Sequence, residues 1–245
     1  MDRAALTTAT GPLPIAWLQQ VEDLARRRAA GEPLQYLTGV AGFRNLELAV
    51  GPGVFIPRPE TETVVDLAKE RLPDGGSVVD LCTGSGAMAL ALAQERPDAR
   101  VYATEASSVA LGWATRNRDA LGLPVVLSEG DLLAALDDEL KGSLDVIVSN
   151  PPYVADDESS ALSIEIVDHE PHVALFSGDD GMNIIRRIAE EAKEWLRPGG
   201  WLLMELGEHQ RSLVSACLEE NGWEDVAIHL DLNERPRIAE ARRPR

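Results

Sequence analysis

A chain of 245 residues, 44% hydrophobic and 26% charged, can bury the core of one large α/β domain with a small appendage. Its net charge of −18 argues against a protein that grips nucleic acid by its phosphates, which needs a basic face, but leaves a protein substrate open. Cys82 and Cys217 form no CxxC or Cys/His spacing, no apolar stretch approaches the ~20 residues of a membrane span, and Met1 opens no signal-peptide pattern, so a reducing cytoplasm without structural zinc is expected.

Residues 7–14 read as loose leader. Over 15–30 the apolar residues Ile15, Leu18, Val21, Leu24 and Ala25 recur at helical spacing, and Gly31 follows as a stop. The arginines at 26–28 and in the C-terminal tail read as solvated surface. Between 43 and 56 the pattern turns to strands, FRNLELAV and VFI, with Gly51-Pro52-Gly53 expected as the hairpin turn between them. Pro59 suits the first turn of a helix through Val64, Val65, Leu67 and Ala68.

After a break at 73–76 a different rhythm begins. Strands are predicted at 77–81, 100–104, 125–128 and 144–149, and helices at 87–95, 108–121 and 132–140. An acidic linker covers 154–181; a helix at 182–196, the strand WLLMEL and a helix at 211–220 follow. Strands alternating with helices imply a parallel sheet covered on both faces. The last two strands, 223–231 and 237–241, are too close for a parallel crossover and should pair antiparallel. A doubly wound sheet ending in an antiparallel hairpin is the arrangement of class I methyltransferases.

The run VVDLCTGSGAMALALA places Gly84 and Gly86 between a strand and a helix, where backbone N–H groups can approach a ligand closely. It lacks the third glycine of a dinucleotide fingerprint and any Gly-Lys-Ser/Thr triphosphate cradle. Glu105 ends the second strand of this region, as an acid gripping ribose hydroxyls would, and Asp131 with Leu132 follows the third. Sites at the carboxyl ends of successive parallel strands converge on one crevice, and an adenosine-containing cofactor fits it best.

The fourth strand breaks off in VSNPPYVADD. Two prolines cannot join a sheet ladder, so the strand ends at Asn150. An acceptor nitrogen that is planar and bears two hydrogens is a poor nucleophile whose lone pair must be aimed. The Asn150 carbonyl can accept one N–H, a backbone carbonyl in the rigid Pro151-Pro152 elbow the other, and Tyr153 offers a face for stacking. Catalysis by orientation and charge stabilisation follows, with no strongly shifted base.

Taken together, DLCTGSGAMALALA, VSNPPYV, PGVFIPRPETE and EPHVALFSGDDGM resemble the release factor glutamine methyltransferases, the HemK-like protein N5-glutamine methyltransferases. Asn-Pro-Pro-Tyr alone also occurs in adenine-N6 DNA and guanine-N2 rRNA methyltransferases; joined to IPRPETE it points to this family. The resemblance implies a Rossmann-like seven-stranded sheet with a terminal antiparallel hairpin, plus a small N-terminal helix and β-hairpin. It implies S-adenosylmethionine as donor and the glutamine amide of the Gly-Gly-Gln loop of peptide chain release factors as acceptor. It places Asp80, Cys82, Thr83, Gly84, Ser85, Gly86, Glu105, Asp131, Leu132 and Asn150 at the cofactor. Asn150, Pro151, Pro152 and Tyr153, with Pro57, Arg58 and Glu60, would hold the glutamine. No metal is implied, direct nucleic-acid binding is not expected, and a monomer is.

Three departures stand out. Cys82 occupies a position where the family has glycine, so ordinary backbone angles are expected there. The family's GGxDG reads Ser177-Gly178-Asp179-Asp180-Gly181. The N-terminal helical domain is short, giving a remnant with hairpin and linker over 1–72 and a methyltransferase domain over 73–245. The weighed alternatives are a methyltransferase of an exocyclic amine in nucleic acid, an inactive cofactor-binding paralogue and a nicotinamide oxidoreductase.

Overall fold

Residues 14–231 and 233–245 are described in the computed structural model, so the leader read at 7–14 lies, apart from Pro14, outside the described residues. Helix α1 (Ile15–Ala29) buries none of its side chains, whereas α2 (Leu34–Thr38) buries Tyr36, whose hydroxyl donates to the Val54 carbonyl. Strands β1 (Val40–Phe43) and β2 (Leu46–Ala49) pair antiparallel, Phe43 opposite Leu46.

The hairpin turn is therefore Arg44-Asn45, and 54–56 is not a strand. Arg44 takes a left-handed φ of 52° and is fastened by its N–H to Glu62 Oε1 (2.8 Å) and by its guanidinium to Asp66 (2.7 Å) and Glu95 (2.5 Å). Gly51 and Gly53 serve close approach instead: a Cβ on either would lie 2.6 Å from the side chain of Trp113 or Val109. Periodicity recognised strands here but could not register the pairing, because the turn is held by distant acids rather than by its own residues.

Helix α3 (Glu62–Arg71) leads into the main sheet, after which strands and helices alternate: β3 (Ser77–Leu81), α4 (Ala87–Glu95), β4 (Arg100–Glu105), α5 (Ser108–Leu121), β5 (Val125–Glu129) and β6 (Leu144–Ser149). The helix read at 132–140 is two short 3-10 turns, Leu132–Ala135 and Asp138–Leu140. The acidic linker holds a 3-10 turn (Asp156–Ala161) and the short α6 (Ile164–His169). Then come α7 (Asn183–Trp195), β7 (Leu196–Glu205), α8 (Arg211–Glu220), β8 (Glu224–Leu230) and β9 (Pro236–Arg242).

The seven strands lie in the order β5-β4-β3-β6-β7-β9-β8; the first five run parallel and β9 is antiparallel to both neighbours. Side chains alternate across the sheet. Val78, Val146 and Val148 join α3, α4 and the hairpin's Phe43, Leu46 and Leu48 in one core. Val79, Leu81 and Ile147 join α7 and α8 in the other. Because both faces are covered, every residue of β3 and β6 is buried. Chain order reverses between β3 and β6, so the crevice outside their carboxyl ends is where a ligand is expected in an open α/β sheet. Among the described residues no helix is long and apolar enough to cross a membrane.

Candidate active site

The loop after β3 makes one wall. Cys82, Gly84 and Gly86 all have left-handed φ, at 58°, 57° and 85°. Ordinary angles were expected at Cys82; the structure instead gives the glycine conformation to a residue with a Cβ, at a cost of about 1–2 kcal/mol. The chain has to turn back there because Thr83 N–H donates to the Thr104 carbonyl on β4 (3.1 Å). A Cβ on Gly84 would meet no protein atom within 4 Å, so its Cα faces open space.

Asp80 stands beneath this loop. Its Oδ2 accepts from Thr83 Oγ1 (2.6 Å) and Ala89 N–H (3.1 Å), while Oδ1 is buried without a protein partner. Burial pushes this carboxyl up to about 7, against the pull of those two donors. Glu105 is clamped at the end of β4 by Gly84 N–H on Oε2 and Ser107 N–H on Oε1, both 2.9 Å.

These residues face a cavity of about 780 Å³. Cys82, Thr83, Gly84 and Ser85 line it, with Glu105, Asp131 and Leu132, and so do Asn150, Pro151, Pro152 and Tyr153, which leave the neighbouring strand β6. Pro57, Arg58 and Glu60 line it as well. Asp80 and Gly86 stand behind the wall rather than in it. Asp131 is more exposed than its neighbours and is paired with Arg187 (2.9 and 3.1 Å). Arg58 is ion-paired with buried Glu170, which also accepts Ile56 N–H (3.1 Å), so the IPRPETE segment is tied to the acidic linker.

The elbow after β6 is held from its exit. Val154 bridges Phe176, with Val154 N–H on the Leu175 carbonyl and Ser177 N–H on the Val154 carbonyl (both 2.9 Å). Gln210 Nε2 donates to the Tyr153 and Asp180 carbonyls (2.8 and 3.1 Å). Among the described residues, no protein hydrogen bond uses the side-chain carbonyl of Asn150 or the backbone carbonyls of Pro151 and Pro152. Asn150 Nδ2 donates to Thr61 Oγ1 (3.3 Å), Thr61 Oγ1 donates to Glu205 Oε2 (2.6 Å), and the Tyr153 hydroxyl donates to Glu205 Oε1 (3.0 Å). Burial and the neighbouring Glu205 raise the Tyr153 phenol, which keeps its proton.

Sequence reasoning missed Thr61, Glu170, Glu205 and Gln210. Only Glu205 carried a signal, as the lone acid in the apolar strand WLLMEL; the others acquire their roles through contacts over 57 to 144 residues.

The methyltransferase small domain model matches residues 46–178, and the PrmC N-terminal domain model matches residues 1–39. A release factor glutamine methyltransferase of Streptomyces coelicolor is 51% identical over 226 residues, 90% of this chain and 79% of that protein. That of Mycolicibacterium smegmatis is 46% identical over 99% of this chain and 86% of its own length. The chain belongs to the release factor glutamine methyltransferase family. Solved structures agree on the fold. A methyltransferase from Pyrococcus furiosus superimposes with a TM-score of 0.61 at 19% identity, covering 93% of this chain and 98% of its own. A 16S rRNA N2 methyltransferase of T. thermophilus, in complex with AdoMet and guanosine, gives 0.56 at 23% identity, covering 83% and 49%. The sheet is thus that of the class I S-adenosylmethionine-dependent methyltransferases, as the terminal hairpin had suggested.

Proposed function

We propose that this member of the family transfers a methyl group from S-adenosylmethionine to the side-chain amide nitrogen of the glutamine in the Gly-Gly-Gln loop of peptide chain release factors. The observation that carries the reading is the set of unengaged carbonyls on Asn150, Pro151 and Pro152, presented to the cavity that the glycine loop lines. A primary amide offers two N–H groups in one plane and needs two acceptors to fix it.

The residues present fit the cofactor. Gly84 opens on free space, and Glu105 stands at the strand end where ribose hydroxyls are gripped. Glu105, Asp131, Asp179 and Glu208 give the cavity an acidic lining suited to a cation. When bound, S-adenosylmethionine supplies a sulfonium methyl that can be displaced in one step, leaving a neutral thioether.

The chain's own residues then position the acceptor. Asn150 Oδ1 and a proline carbonyl hold the two N–H groups and leave the nitrogen lone pair pointing out of their plane. Fixed φ at Pro151 and Pro152 keeps those carbonyls in place without reorganisation during the reaction. As the nitrogen gains positive charge its N–H groups become stronger donors, so both hydrogen bonds tighten in the transition state. The proton released afterwards goes to water; the elbow contains no strong base.

In this reading, 73–245 is the methyltransferase domain and supplies both the cofactor loop and the Asn150–Tyr153 elbow, while Pro57, Arg58 and Glu60 of the 1–72 segment line the same cavity. A monomer suffices, since every group invoked comes from one chain, and the acidic lining disfavours a phosphate backbone. Incubation of purified release factor with the enzyme and methyl-labelled cofactor tests the proposal, beside duplex DNA and rRNA controls. Label in the release factor alone is expected; label in either nucleic acid alone would overturn it.

A further inference from the structure

We propose that Glu205 is a positioning residue that sets the direction of a hydrogen-bond chain ending on Asn150. The inference rests on the reading that Asn150 holds an acceptor amide, and it adds what decides which end of Asn150 faces that amide.

Glu205 closes β7 and is 2% exposed. Both its oxygens are engaged by hydroxyls, Thr61 on one side and Tyr153 on the other. A carboxylate only accepts, and a hydroxyl has a single hydrogen. Thr61 therefore points its hydrogen at Glu205 and can only accept from Asn150. That fixes the Asn150 nitrogen toward Thr61 and leaves Oδ1 turned away from it, with no protein partner among the described residues. Were the chain reversed, the Asn150 NH2 would face the N–H groups of the acceptor, donor against donor. Burial is the largest influence on the Glu205 carboxyl and raises it above its ordinary 4.5, with Glu60 adding to this, while the two hydroxyls and the charge of Arg237 pull the other way; the direction of the chain is that of the ionised form.

The geometry also explains an acid in an otherwise apolar strand. Neutral glutamine at 205 would fit the same space but bring a donor. With its NH2 toward Thr61, that hydroxyl would have to accept from it and donate to Asn150 Oδ1, inverting the amide.

The test is a double-mutant cycle with Glu205→Gln and Thr61→Val, each checked for folding by thermal unfolding and for S-adenosylmethionine affinity. Glu205→Gln should lower kcat for the release factor by about 10²-fold, the scale of misplacing a reacting group, with cofactor affinity and KM unchanged. Once Thr61→Val has cut the chain, adding Glu205→Gln should cost no more than about twofold further, because a shared route makes the effects non-additive. Losses that multiply, or near-normal kcat in Glu205→Gln, would overturn the proposal. A second readout does not depend on the acceptor. In 15N-labelled protein, the Asn150 side-chain amide resonances, assigned by their loss in Asn150→Ala, should shift and exchange faster in both variants. Unchanged resonances would refute the chain even if the enzyme is active. Shifted resonances in an enzyme that puts no methyl on glutamine would refute the acceptor reading alone. Should Glu205→Gln fail to fold, Thr61→Val carries both readouts.

Discussion

In the proposed function Asn150 and Gly84, both lining one cavity, do different work, and substitutions should separate them. Asn150→Ala removes one acceptor for the incoming amide. It should lower kcat by about 10²–10³-fold, the usual loss for a group acting mainly in the transition state, while leaving S-adenosylmethionine affinity intact. Gly84→Val should do the reverse, weakening cofactor binding as its side chain enters the space the glycine leaves open, with added strain from a φ of 57°. Calorimetric titration beside single-turnover kinetics distinguishes the two; equal cofactor affinity in wild type and Gly84→Val would contradict the placement. At this scale the sequence was most legible where covalent geometry restricts the chain. Glycines, prolines and a strand-ending asparagine announce themselves. Thr61 and Gln210 do not, because an ordinary polar residue gains a role only from what folding brings beside it, here Glu205 and the Tyr153 carbonyl.

Between elements, the elbow depends on segments remote in sequence. Gly181, just before α7, has a φ of 69°, and a Cβ there would lie 2.1 Å from the Tyr153 carbonyl oxygen and 2.6 Å from Gln210 Nε2. Gly181→Ala should therefore displace the elbow, lowering kcat by on the order of 10²-fold although residue 181 carries no reacting group. Kinetics with unchanged kcat in a folded Gly181→Ala protein would show that the elbow is not held from this side. The alternation of strands and helices from β3 to α8 was readable from hydrophobic periodicity, since each element is amphipathic or fully buried. The β1–β2 turn was misplaced because Gly51 and Gly53 imitate turn residues while serving contact with α5. The 3-10 turns at Leu132–Ala135 and Asp138–Leu140 were read as one helix because apolar spacing alone does not report the break between them.

For the whole molecule, pH separates the site from the scaffold. Glu95, beside Arg44 and Lys69, is held down at about 2, so its stabilisation is full above its ordinary 4.5 and is lost as pH falls toward 2. Asp80 acts with opposite sign. Between its ordinary 3.8 and about 7 the unfolded chain releases this proton while the folded protein keeps it. Stability should fall as pH rises through that window. Asp80→Asn should reduce that slope, leaving the part owed to Glu205, which burial also raises, without altering the decline below pH 4.5, as read by urea denaturation of the cofactor-free protein at a series of pH values. An unchanged slope would place the titration elsewhere.

The acceptor itself remains the most direct test of what this architecture is for. A release factor whose Gly-Gly-Gln glutamine is changed to glutamate sets oxygen against the Asn150 and proline carbonyls, and changed to asparagine it places the amide one methylene short. The deciding measurement is mass spectrometry of the loop peptide after incubation of wild-type and glutamate-variant release factor with enzyme and S-adenosylmethionine. One added methyl on the glutamine side chain, and none on the glutamate variant, is the predicted result. Methyl on lysine, or equal methylation of the glutamate variant, would contradict the account.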